Sequence, residues 1–222
     1  TYTNVNKILS GDAKTQKAYP HLLKMCLDMK VLAGIIRRRR EGLGAIDFDS
    51  REAKILVDEK GKPKDIVLRE RGEAERIIED FMIAANETVA THMKWLETPS
   101  MYRIHEAPEP KKMREFARIA KTLGYTFKGG IQDVHPKQLQ ALLDEARGQD
   151  NYFVLSSFML RSMQKARYDN RCLGHFGLGL KEYLHFTSPI RRYPDLIVHR
   201  MLRKYIFTSS EDVDKMKQDE QW

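Results

Sequence analysis

At 222 residues, 41% hydrophobic and 32% charged, the chain has the make-up of a folded globular protein and not of a disordered one. Its 39 Lys and Arg against 31 Asp and Glu give a formal net charge of +8, which favours an anionic partner, nucleic acid or an acidic membrane surface. Two distant cysteines, Cys26 and Cys172, exclude a disulfide framework and a cysteine zinc site, and no apolar run approaches the roughly 18 residues that cross a bilayer.

The first residues carry neither the basic nor the apolar segment of a signal peptide, so a cytoplasmic location is expected. A start without Met fits a piece of a longer protein. Residues 3–10 read as a short helix ended by Gly11. Leu22, Leu23, Met25, Cys26, Met29, Leu32 and Ile36 keep near-helical period and predict one long helix from about Thr15 to Arg40. A hairpin follows, with 53–58 and 64–69 flanking a turn at Gly61, and 45–48 reads as a further strand. From Glu73 to Leu96 the steps Ile78, Met82, Ala85, Val89, Met93 and Leu96 mark one apolar helix face. Residues 101–105 read as a strand, 109–123 and 136–147 as helices. A third helix, 152–167, carries Leu155, Phe158, Ser162 and Ala166 on one face. Residues 173–186 alternate and are rich in Gly and aromatics, hence strand and loop. The last helix is expected to begin near Ser188-Pro189, a good cap and first-turn pair, with Pro194 kinking or restarting it. The expected class is α+β, mixed and helix-rich, and one domain over 1–222 is the simplest organisation.

Three places draw attention for chemistry. Arg37 to Arg40 is the densest charge, either a solvated helix end or a phosphate-contacting patch. Asn86 sits on an apolar helix face, with Glu79 seven residues earlier on the same stripe. It reads either as part of a structural hydrogen-bond network or as part of a polar seam lining a channel. The third is Gly174 to Asp195, with glycines, His175, His185, Phe176, Tyr183, Phe186, Tyr193 and the adjacent Arg191 and Arg192. Glycine for close backbone approach, aromatics for stacking and arginine for phosphate suit a channel for a single strand. A glycine-rich turn over a core, with both arginines in salt bridges, fits the same residues. Metalloprotease, phosphate-loop, zinc and Ser-His-Asp spacings are all absent.

The run His185-Phe-Thr-Ser-Pro-Ile-Arg-Arg-Tyr-Pro-Asp-Leu196, preceded by Gly174-His-Phe-Gly-Leu, resembles the signature of RNB-family exoribonucleases, and within them bacterial ribonuclease R. Tyr2-Thr-Asn-Val, Arg76-Ile-Ile-Glu-Asp-Phe-Met-Ile-Ala-Ala-Asn86, Tyr102-Arg-Ile-His105 and Met159-Leu-Arg-Ser-Met163 resemble further blocks of that family in its order. The resemblance implies a sheet surrounded by helices that form an RNA channel. It also implies processive 3′-to-5′ hydrolysis of single-stranded RNA to nucleoside 5′-monophosphates with Mg2+. Arg191 falls on the family arginine that grips the phosphate beside the cleaved bond. Phe48 falls on the aromatic that clamps the 3′-terminal bases, and Tyr2 on a tyrosine near the sugar. Asp80 falls where the family has a carboxylate, usually Glu, that reads a 2′-hydroxyl.

One departure stands out. The family's metal-binding aspartates, Asp-x5-Asp-x-Asp-Asp before the Tyr-Thr-Asn-Val block, have no counterpart here, so the resemblance implies magnesium ligands outside this chain. The cold-shock-like and S1-like modules of the family are not in the sequence either. The chain is thus expected to be the C-terminal majority of an RNB catalytic domain: RNA-holding, inactive when isolated, partnered by the remainder of the same protein, and prone to self-association without it. A non-catalytic RNA-binding or regulatory module of the same fold is the alternative.

Overall fold

The computed structural model of the chain describes residues 1–48, 53–68 and 71–206. They divide into two compact units, one of Thr1–Arg38 with Asp47–Phe81, the other of Arg39–Ile46 with Met82 onward. The class is the expected helix-rich α+β. Its strands form two separate antiparallel pairs.

The first unit opens with α1 (Tyr2–Leu9), whose cap Thr1 accepts the Asn4 N–H. The expected helix from Thr15 to Arg40 is instead two, α2 (Ala13–Ala18) and α3 (Pro20–Leu43). Pro20 causes the break, because a proline ring disfavours helical backbone at the preceding residue, and Tyr19 sits at φ −131°. Asp12 caps α2 by accepting the Thr15 N–H at 2.8 Å. The hairpin forms as predicted, β1 (Ala53–Val57) against β2 (Pro63–Leu68), with Ile55 opposite Ile66 and both exposed. Asn6 holds the start of α4 (Glu73–Trp95): its Oδ1 accepts the Ala74 N–H at 2.8 Å and its Nδ2 donates to Glu75.

The buried seam of α4 keeps Asn86 and Met93 of the expected stripe and otherwise runs beside it. Ala74, Ile77, Asp80, Ile83, Asn86, Ala90 and Met93 are buried, whereas Leu96 is exposed. The apolar residues alone point to a neighbouring stripe, because two of the seven buried positions are polar and satisfied within the protein.

In the second unit β3 (Tyr102–Ile104) pairs with β4 (Arg167–Asp169), and Tyr102 also bridges to Leu184. Helices α5 (Pro110–Thr122), α6 (Pro136–Ala146) and α7 (Tyr152–Ser162) bury Met113, Phe116, Leu139, Leu143, Leu155 and Met159. Helix α7 ends at Ser162, before the expected residue 167, where β4 begins instead. Phe158, expected on its inner face, is exposed; Met159 is buried instead. A second core gathers Ala90, Met93, Tyr102, Ile104, Leu184 and Val198 under α8 (Tyr193–Ile206). Residues 45–48, expected as a strand, form none; the Ile46 N–H bonds the Gly177 carbonyl at 2.8 Å. No described helix is long and apolar enough to cross a membrane.

Two glycines fix that approach. Gly44 ends α3 at φ +100°, its N–H and that of Ala45 both returning to the Arg40 carbonyl. Gly179, at φ +64°, lies so close that a Cβ would stand 3.0 Å from the Leu43 carbonyl oxygen and 3.1 Å from the Ala45 nitrogen. Left-handed backbone costs an L-residue about 1–2 kcal/mol, and here the obstacle is backbone, which cannot swing aside. Gly179→Ala is therefore expected to destabilise the protein by about 2 kcal/mol or more. Chemical denaturation checks this, and an unchanged midpoint would contradict it.

Candidate nucleic-acid interface

The segment His185–Arg192 runs between the Leu184 bridge and α8 without regular structure, yet its backbone groups are held one by one. From α4, Asn86 Oδ1 accepts the N–H of Phe186 at 2.9 Å and of Thr187 at 3.2 Å, while its Nδ2 donates to the Tyr183 hydroxyl at 3.1 Å. From α8, Asp195 Oδ1 accepts the Ser188 N–H at 2.7 Å. The Ser188 carbonyl then receives the N–H groups of Arg191 and Arg192, closing a turn at Pro189 and Ile190. The Phe186 carbonyl pairs with His199 Nε2 at 2.9 Å, and the two rings stack with centroids 4.3 Å apart. Asn86 is 2% exposed and Asp195 0%. Both are polar side chains spent on a backbone that no sheet or helix would satisfy.

The two arginines part company here. Arg192 is half-buried and donates to Asp195 Oδ1 at 2.8 Å, a buried ion pair. Arg191 is exposed and makes no ion pair among the described residues, and it stands between fully exposed Ile190 and exposed Tyr193. Helix α8 begins at Tyr193, not near Ser188, so both arginines lie on the turn before the helix. Asp195, the third residue of α8, reaches back to Ser188 as an acidic first-turn residue does. The turn presents the exposed guanidinium of Arg191 two residues before the exposed ring of Tyr193. That arrangement can take a phosphate and a base.

Behind the turn lies a chain of rings. His105 and His175 meet edge to face at 5.1 Å, His175 and Tyr183 at 5.3 Å, Tyr183 and His185 at 5.7 Å. The Tyr168 hydroxyl bonds His185 Nδ1 at 2.8 Å, and the Arg103 guanidinium covers the Tyr168 ring. Burial pushes His175 down to about 3; burial and then the Arg192 guanidinium push His185 down to about 4. Both are neutral at pH 7. His105 and His175 also border a cavity of about 930 Å³ together with Arg39, Glu87 and Lys181.

A family model described as RNB domain matches residues 1–208. The chain belongs to the RNB domain family. Ribonuclease R 1 of Lactococcus lactis is 47% identical over 204 residues, 92% of this chain and 25% of that protein. Ribonuclease R of Aquifex aeolicus is 41% identical over 97% of this chain and 30% of that protein. The solved structure of Mycoplasma genitalium RNase R in complex with ribose-methylated single-stranded RNA superposes with a TM-score of 0.86 at 31% identity, covering 98% of this chain and 34% of that one. The chain thus spans about a quarter to a third of the length of these relatives.

Three of the four residues carried over from the RNB resemblance, Tyr2, Phe48 and Asp80, lie in the first unit; Arg191 lies in the second. Tyr2 is 50% exposed at the rim of an apolar groove lined by Val5, Met25, Cys26 and Ile78. Phe48 is partly exposed. Asp80 is 2% exposed, and its Oδ2 accepts from Arg37 Nε at 2.9 Å and Nη2 at 2.7 Å. Glu79, expected on the buried stripe, is half-exposed and pairs with Arg71. The arginine cluster is neither a plain solvated end nor a bare patch: Arg37 clamps Asp80, and Arg39 forks onto Glu87. Two residues in or beside the highlighted segment, Asp195 and His199, carry roles that the sequence did not assign them. Asp195 had a visible signal, an acid in the first turn of the last helix, masked by a second plausible start at Ser188-Pro189.

The ring chain sets a pH dependence. The unfolded histidines titrate near 6.5, about 6.5 being the ordinary value, and the folded ones near the low values above. Between these limits the unfolded chain binds more protons, so stability is complete above pH ~6.5 and falls as pH drops toward ~4, by at most about 1.4 kcal/mol per pH unit for each histidine. Urea unfolding at pH 7 and 5.5, above the carboxylate range, is expected to show a lower midpoint at 5.5. Equal midpoints would remove the neutral histidines from the account.

Proposed function

We propose that this chain is the RNA-holding part of a processive 3′-to-5′ exoribonuclease that hydrolyses single-stranded RNA to nucleoside 5′-monophosphates in the cytoplasm. The observation that carries the reading is the asymmetry of the two arginines: Arg192 is consumed by buried Asp195, and Arg191 is left exposed on a fixed turn. Likeness to ribonuclease R proteins, one of them solved with single-stranded RNA, supports it.

In this reading Arg191 grips the phosphate beside the scissile bond and stabilises charge developing on its oxygens. Phe48 stacks on the terminal bases, which every base tolerates, and Tyr2 lies along a sugar. Asp80 is the carboxylate that reads a 2′-hydroxyl, with its Oδ2 held by Arg37. Among the described residues no three His, Cys, Asp or Glu side chains gather so as to hold a metal ion. The described residues thus offer no cluster for the magnesium that the reaction uses, and we assign its ligands to the remainder of the same protein. That remainder is also the natural cover for the exposed apolar side chains of α3, Leu27, Val31 and Ile35; the chain alone is expected to self-associate through them.

The 222-residue chain by itself is expected to bind single-stranded RNA with an affinity that falls as salt rises, and to release no monophosphates when magnesium is added. In the full-length protein, Arg191→Ala is expected to lower kcat roughly 100-fold with a much smaller change in KM. Gel-resolved degradation of a labelled single strand measures both. Monophosphate release by the isolated chain would refute the division of labour. An inactive full-length protein that still binds RNA would favour the non-catalytic module.

A further inference from the structure

We infer that Asn86 and Asp195 are positioning residues for Arg191: they set the turn that carries its guanidinium, and so govern turnover without touching the RNA. The inference rests on the proposed role of Arg191 and deepens it.

The argument is one of degrees of freedom. Arg191 projects from a turn whose entry, Phe186 to Ser188, has no ladder or helical partners. Three consecutive N–H groups there are taken by two side chains only, Asn86 for the first two and Asp195 for the third. Asn86 stands in the middle of α4 and is itself braced by the Tyr183 hydroxyl; Asp195 stands in the first turn of α8 and is braced by Arg192. The clip thus fastens the turn to two helices that share the core of Ala90, Met93 and Val198. Pro189 removes one more backbone freedom, and the Ser188 carbonyl holds the N–H of Arg191 itself. Of the residues on the turn, only the exposed ones face outward: Ile190, Arg191 and Tyr193. A charge-stabilising group must sit within a fraction of an ångström of its place, and misplacement by about 1 Å costs up to roughly 100-fold in rate.

A hydrogen-bonding role in stability alone would make Asn86 matter equally with or without Arg191. A positioning role makes it matter only while Arg191 is present. The test is a double-mutant cycle in the full-length enzyme: wild type, Asn86→Ala, Arg191→Ala and the double variant, with kcat and KM measured on a single-stranded RNA below the melting temperature of each protein. The expected result is a loss of roughly 10-fold in kcat for Asn86→Ala with KM within about 2-fold, and a double variant no slower than Arg191→Ala alone. An equal further loss in the Arg191→Ala background, or an unchanged kcat for Asn86→Ala, would overturn the inference. Full kcat in Arg191→Ala would instead sink the underlying role of Arg191, a separate outcome. Should Asn86→Ala fail to fold, Asp195→Asn takes its place in the same cycle. It keeps an oxygen for the Ser188 N–H but loosens Arg192, and the same non-additivity is required of it.

Discussion

The N–H groups of Phe186, Thr187 and Ser188 lie in an irregular segment of the second unit and bond no backbone carbonyl of a strand or helix. Leaving one buried donor unsatisfied costs about 1–3 kcal/mol, so a chain that runs this way must supply acceptors from elsewhere. The acceptors are Asn86 on α4 and Asp195 on α8, side chains more than a hundred residues apart in sequence. Packing of Ala90, Met93, Tyr102 and Val198 brings α4 and α8 together; the polar clip decides where the segment between Leu184 and α8 must run. Apolar burial supplies most of the energy and hydrogen bonding supplies the address. The polar seam of α4 is the consequence, since a helix that fastens an irregular loop has to bury an amide where a leucine would pack as well.

That seam marks where the sequence was legible and where it was not. Helices with strong period and a capping side chain or a first-turn proline, α1, α5 and α6, stand close to their expected bounds, because these signals and the amphipathic pattern are local. Tyr19-Pro20 broke a predicted helix by a rule also local, but hidden under continuous apolar period. The inner face of α4 was legible at Asn86 and Met93 and not at Asp80, for a different reason. Asp80 is buried through a partner 43 residues away, Arg37, and no window of ten or twenty residues contains such a partner. The turn at Ser188 to Arg192 is a similar case. Ser-Pro is a sound start for a helix, yet Asp195 captures the Ser188 N–H and the helix starts five residues later.

The candidate site was legible in its residues and illegible in its geometry. The Gly174 to Asp195 segment was readable as glycine, aromatic and arginine in one place, and family blocks gave Arg191 a role. Which of two neighbouring arginines remains available is a matter of one side chain three residues on. The glycines were legible only as breakers; what Gly179 does is admit the backbone of Leu43 to Ala45, from 136 residues earlier in the chain.

Charge tells the same story at the scale of the whole chain. A net charge of +8 describes a long-range preference for anions, and Arg37 to Arg40 looks from sequence like its focus. In the structure Arg37 is paired with buried Asp80 and Arg39, at the surface, with Glu87, so part of the densest cationic run is already matched by carboxylates of the same chain. A guanidinium held by a carboxylate must lose that partner before it can take a phosphate, and the loss weighs against binding. Arg191 has no such debt among the described residues, while its neighbour Arg192 carries the carboxylate that fixes the turn. An adjacent pair divided into one structural and one free arginine gives both a rigid mount and an available charge. A single arginine would have to choose between them.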